Sequence, residues 1–133
     1  MEEHVKELSK YRFETSLEAL ADARIMYDNK RYKNALNRAY YSIFHAIRSV
    51  NALDGFDSSK HSGVIAHFNQ VFVKEGTFPK QMSKLVKMAY DKREEADYLD
   101  FYIASIEEAE KQIARAEEFT AVIQEYLEQK GIL

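Results

Sequence analysis

Arg38 and His45 are the two residues whose types and spacing could do chemistry together. Seven positions apart on a helix, they differ by only about 20° in azimuth and stand about 10.5 Å apart along the axis, so they share a face. An arginine supplies a permanent planar cation that matches a phosphate, and a histidine accepts and donates a proton near neutral pH. Together they suit phosphodiester chemistry without a metal. Tyr41 and Ser42 fall between them. The same stripe has a structural alternative, in which Arg38 pairs with a glutamate of a neighbouring helix and His45 fills a polar gap.

Other polar groups offer weaker signals. Lys60-His61-Ser62-Gly63 stands at a helix start, where free N–H groups and a lysine can hold an anion, or where the lysine is simply exposed. His61 and His67 are six apart and face different directions, unlike the i, i+4 pair of a zinc protease helix, so no metal site is expected. Arg93 and Asp97 have the i, i+4 spacing of a helix ion pair. Nine Tyr and eight Phe belong chiefly to a core or a subunit interface, with base stacking as the other use; Tyr40-Tyr41 adjoin the Arg/His stripe.

The elements that must position these residues are helices. Four Gly and one Pro in 133 residues, with little apolar/polar alternation, lack the punctuation of a sheet. The spacing predicts a first helix over about 4–28, with Val5, Leu8, Leu17, Leu20, Ala21, Ile25 and Met26 facing the core. A second helix, about 31–52, repeats Leu36, Tyr40, Ile43, Ile47 and Val50 as one apolar seam, with the Arg38/His45 stripe on nearly the opposite side. A turn at 53–59 leads to a third helix of about 60–75, ended by Gly76. Pro79 opens a fourth, about 79–97, carrying Met82, Leu85, Val86 and Ala89. Ser105 and Glu108 form a capping box for the last helix, which buries Ile113, Ala116, Thr120, Ile123 and Leu127 and closes at Gly131. The expectation is an all-α, up-and-down bundle of four to five helices in a single domain.

Charge narrows the ligand. The net charge is −3, yet residues 29–53 hold Lys30, Arg31, Lys33, Arg38 and Arg48 with no acid, whereas residues 106–128 hold seven Glu against Lys111 and Arg115. An anionic ligand is therefore expected near the second helix. With no cysteine, disulfides, zinc ribbons and thiol nucleophiles are excluded. Gly-rich phosphate loops, Gly-Ser nucleotidyltransferase loops and Asp-x-Asp pairs are absent, so the chain is not itself a kinase, NTPase or nucleotidyltransferase. No cofactor is expected. The N-terminus has neither a basic leader nor an apolar run, and no window approaches the ~18 apolar residues of a membrane span, which predicts a cytoplasmic protein off the membrane.

Four blocks in order carry a resemblance: Arg38-Ala39-Tyr40-Tyr41-Ser42-Ile43-Phe44-His45-Ala46, Lys60-His61-Ser62-Gly63-Val64, Arg93-Glu94-Glu95-Ala96-Asp97-Tyr98 and Ser105-Ile106-Glu107-Glu108-Ala109. They resemble the small stand-alone prokaryotic branch of the HEPN domain family over about residues 10–127. The resemblance implies a helical bundle that forms a homodimer and works beside a separate minimal nucleotidyltransferase as a toxin–antitoxin pair. It implies metal-independent endoribonuclease activity, with Arg38 neutralising the scissile phosphate and His45 as general base or acid at the dimer interface. Tyr41, Arg48, Lys60 and His61 are then the candidate substrate-binding residues. The alternative is a noncatalytic module that binds a nucleotide or the nucleotidyltransferase partner.

Overall fold

Leu36, Tyr40, Ile43, Ile47 and Val50 are all fully buried, as a seam repeating every three and four residues requires. In the computed structural model, which describes residues 2–133, they lie on α2 (Tyr32–Asn51), the central helix of an all-α bundle. α2 packs against α1 (Glu3–Asp28), α3 (His61–Phe68), α4 (Gln81–Tyr98) and α5 (Ile106–Gln129), and no strand occurs among the described residues. Side-chain pairs fix the directions. Ser9 reaches Ser49 and Ser16 reaches Ser42, so α1 and α2 are antiparallel. Asn37 meets Asp97 and Tyr41 meets Arg93, so α4 runs against α2. Gln112 reaches Ala89 and Lys92 reaches Glu108, so α5 runs against α4. The four long helices alternate up and down, with α3 as a short connector.

The buried face of α1 differs from the one expected. Leu8, Leu17, Ala21 and Ile25 are exposed and Val5 and Met26 half-buried; of the expected set only Leu20 is in the core. The true face is Ser9, Phe13, Ser16, Leu20 and Ala23, set against Ala35, Ala39, Ser42, Ala46 and Ser49 of α2. Both rows repeat every four and three residues. Small side chains let the two backbones approach closely, and the buried hydroxyls satisfy themselves on carbonyls: Ser9 Oγ donates to Ser49 O at 2.7 Å and Ser16 Oγ to Ser42 O at 2.6 Å. Ser42 therefore belongs to the α1 contact and drops out of the polar stripe.

The remaining elements follow their caps with local changes. α3 loosens at its end into one wide turn over Asn69–Val73, where the Lys74 N–H donates to the Asn69 carbonyl five residues back. That turn brings Phe72 onto Phe78, with ring centroids 5.9 Å apart and the Phe78 N–H on the Phe72 carbonyl. Pro79 precedes α4 rather than opening it, its carbonyl accepting from the Met82 N–H. The capping box of α5 is present in both directions, Ser105 Oγ accepting from the Glu108 N–H at 3.1 Å and Glu108 from the Ser105 N–H at 3.0 Å. No helix among the described residues is long and apolar enough to cross a membrane.

Candidate functional site

With one side of α2 committed to α1 and its seam to α4 and α5, a strip holding Arg38, Tyr41, His45 and Arg48 remains half-buried. Two other elements converge on it. The first turn of α3 places His61 against the strip, its ring stacked on Phe44 with centroids 4.1 Å apart and its Nδ1 sharing a 2.8 Å hydrogen bond with the buried Tyr40 hydroxyl. The last turns of α4 bring Arg93, which donates to the Tyr41 phenol oxygen at 3.0 Å.

Arg38 has no carboxylate partner among the described residues, so the expectation that a neighbouring glutamate pairs with it does not hold. Its Nε donates to Asn37 Oδ1 at 3.2 Å, and its guanidinium carbon lies 4.9 Å from the Tyr41 ring centroid. Asn37 in turn donates to Asp97 at 2.9 Å, and Asp97 also receives Arg93 Nε at 2.9 Å. The expected ion pair between Arg93 and Asp97 is thus present, but it sits inside a chain of contacts running from Arg38 through Asn37, Asp97 and Arg93 to Tyr41.

His45 lies one turn beyond Tyr41, with ring centroids 6.1 Å apart. Its Nδ1 is buried and has no hydrogen-bond partner among the described residues. Burial first, then the cations Arg48, Arg38 and Arg12 together with His61, hold its pKa down at about 4. His45 is therefore a neutral imidazole at physiological pH. His61 is lowered as well, by burial and then by Arg93, with Glu94 opposing. Beyond His45, Arg48 and Arg12 both reach Asp57, at 3.1 and 3.3 Å, and Arg12 also donates to the Arg48 carbonyl. Asp57 is held below the usual carboxylate range: burial opposes this, but the Arg48 hydrogen bond, the Ser58 N–H and both arginines outweigh it.

Of the residues singled out from sequence, Arg38, Tyr41, His45, Arg48 and His61 come together. Lys60 does not: its exposed side chain makes no ion pair among the described residues. Arg93, Asp97, Asn37 and Arg12 complete the cluster. Arg93 and Asp97 were visible as a helix pair inside one block of the resemblance, with no link to the Arg38/His45 stripe, and nothing in the spacing of Arg12 or Asn37 marks them. No group of three or more His, Asp or Glu side chains suited to a metal ion occurs among the described residues.

The site is a surface strip rather than a pocket. A groove of about 400 Å³ lies between α3 and α4, lined by Ile65, Val86 and Tyr90, and a cleft of about 540 Å³ lies between Lys30–Asn34 and Tyr102–Ala104. Arg38, Tyr41 and His45 line neither.

Comparison with known proteins adds the family. The HEPN domain model matches residues 9–126. A UPF0332 protein of Thermotoga maritima is 34% identical over 111 residues, covering 84% of each chain. The Methanocaldococcus jannaschii protein named "Putative toxin MJ0605" is 35% identical over 116 residues, covering 87% of this chain and 86% of its own.

Proposed function

This chain belongs to the HEPN domain family, and on that premise we propose that it is a toxin-type endoribonuclease that cleaves RNA phosphodiesters without a metal, using Arg38 and His45. The observation that carries the reading is a guanidinium without a carboxylate partner among the described residues, on the same helix face as a half-buried neutral imidazole. An unpaired cation is what a phosphate needs, and a neutral imidazole is the form that accepts a proton. Arg38 neutralises charge that builds on the scissile phosphate, and His45 takes the proton of the ribose 2′-hydroxyl, whose oxygen attacks the phosphorus. Arg48, Lys60 and His61 hold the flanking RNA.

Because the strip is open within one chain, the working site is formed by two copies, each turning its Arg38/His45 face toward the other across a two-fold axis. The test is cleavage of single-stranded RNA in EDTA by the purified protein, with His45→Ala expected to lose at least ~100-fold. Equal cleavage by both proteins contradicts the reading.

A second reading has its own observation. The α4–α5 loop holds Leu99, Phe101 and Ile103 outward, with Phe101 100% and Ile103 89% exposed. Such a patch suits a protein partner, and in this reading the chain is a noncatalytic module that docks a separate minimal nucleotidyltransferase. Co-purification lost on Phe101→Ser, from a chain inactive on RNA, would favour it.

A further inference from the structure

Arginine donates hydrogen bonds and accepts none, so in the 3.0 Å contact between Arg93 and Tyr41 the phenol oxygen is the acceptor. The phenol's own O–H is then left without an acceptor among the described residues. Arg93 is firmly placed. Its Nε is on Asp97 and another nitrogen on Glu94, at 2.9 and 3.2 Å, and its side chain is only 11% exposed. The guanidinium carbons of Arg38 and Arg93 lie 4.9 and 5.3 Å from the Tyr41 ring centroid. A phenol that gives up its proton here meets a hydrogen-bond donor at its oxygen and two cations beside its ring.

The partition of the other groups points the same way. In-line phosphoryl transfer places the attacking and leaving oxygens on opposite sides of the phosphorus, so two different groups must handle the two protons. Tyr41 and His45, on successive turns of one helix face with centroids 6.1 Å apart, can straddle a phosphate held by Arg38. His61 is pinned by the bond between its Nδ1 and Tyr40 and by its stack on Phe44, which suits it to hold RNA. A neutral His45 can accept a proton but holds none to spare for the leaving group at neutral pH.

Building on the ribonuclease reading, we propose that Tyr41 is the general acid of the cleavage, with Arg93 and Asp97 as the residues that position it. The 2′-hydroxyl gives its proton to His45 as its oxygen bonds to phosphorus. The bond from phosphorus to the 5′-oxygen breaks, and the Tyr41 O–H passes its proton to that oxygen. The products are a 2′,3′-cyclic phosphate and a 5′-hydroxyl. The phenolate recovers a proton through water as His45 loses the one it took, which restores the site.

The test is a pair of oligoribonucleotides, one natural and one with sulfur in place of the bridging 5′-oxygen at the scissile position. A thiolate leaves without being protonated, so an acid is needed only for the natural substrate. On natural RNA, Tyr41→Phe is expected to lose at least ~100-fold in kcat, and on the sulfur-bridged RNA no more than about 5-fold. Arg93→Gln, which keeps the phenol and removes its cationic partner, should show a smaller loss with the same substrate preference. Equal loss by Tyr41→Phe on both substrates, or no loss on either, overturns the acid role and leaves the ribonuclease reading standing. A wild-type protein that cleaves neither substrate overturns both.

Discussion

Removing Arg48 should make His45 easier to protonate, and the amount is open to direct measurement. His45 titrates at about 4 instead of 6.5 because its ring is buried and because Arg48, Arg38, His61 and Arg12 raise the potential around it. At ~1.36 kcal/mol per pH unit, the full displacement corresponds to about 3 kcal/mol, which solvent screening around a half-buried ring reduces to roughly 1–2 kcal/mol. Burial is the largest cause and survives the mutation, so Arg48→Met should raise the His45 pKa by only ~0.5–1 pH unit. The sign of the stability effect follows from proton binding. Between about pH 4 and 6.5 the folded chain holds fewer protons at His45 than the unfolded chain does. The contribution of neutral His45 is thus fully present above 6.5 and is lost as pH falls toward 4. The same value places the acid limb of kcat/KM near pH 4, since that profile reports the free enzyme's base. Proton–carbon NMR of the His45 ring, titrated from pH 3 to 8 in wild type and Arg48→Met, reads both values. A wild-type pKa at or above the ordinary 6.5, or no rise in the variant, would refute the electrostatic reasoning.

Three further outcomes concern the scaffold. Ser16→Val removes a buried hydroxyl that donates to the Ser42 carbonyl at 2.6 Å and adds volume where α1 and α2 touch, so it should cost about 1–3 kcal/mol and lower Tm by roughly 5–10 °C. Glu108→Gln weakens the capping box and the contacts to Lys92 and Tyr102; a loss of about 1 kcal/mol in denaturant unfolding is expected at neutral pH. Bonded first by Tyr102 and then by the Ser105 N–H, Glu108 titrates near 2, so this contribution is lost as pH falls from the ordinary carboxylate range to about 2. Phe101 has φ +60 and is fully exposed, so Phe101→Gly should leave stability unchanged or raise it by up to ~1 kcal/mol, measured by thermal melting.

The parts of the fold that were legible are those in which hydropathy and period coincide. The α2 seam, the apolar residues of α4 and the α5 capping box all lie where their spacing puts them. The α1 face was not, because Ser9, Ser16 and Ala23 supply three of its five positions beside Phe13 and Leu20, and hydropathy ranks such small residues below the exposed Leu8, Leu17 and Ile25. For the cluster itself, spacing along α2 correctly grouped Arg38, Tyr41 and His45, since one helix fixes their azimuths. Arg93, Asp97 and Arg12 arrive from other helices, and the distance between helices is set by the packing of α1, α3 and α4 on α2 rather than by any local pattern. Ser42 shows the converse: its azimuth placed it beside the stripe, but α1 covers it.

The most direct test of the Arg38/His45 chemistry is the identity of the RNA ends. Purified protein is incubated in EDTA with an RNA of defined sequence, and the products are compared with those from the same RNA carrying one 2′-deoxy nucleotide at a cleaved position and with those from His45→Ala. Attack by the 2′-oxygen predicts a 2′,3′-cyclic phosphate paired with a 5′-hydroxyl, no cut at the 2′-deoxy position, and neither product from His45→Ala. Ends bearing a 3′-hydroxyl and a 5′-phosphate, or unchanged cleavage by His45→Ala, would contradict it.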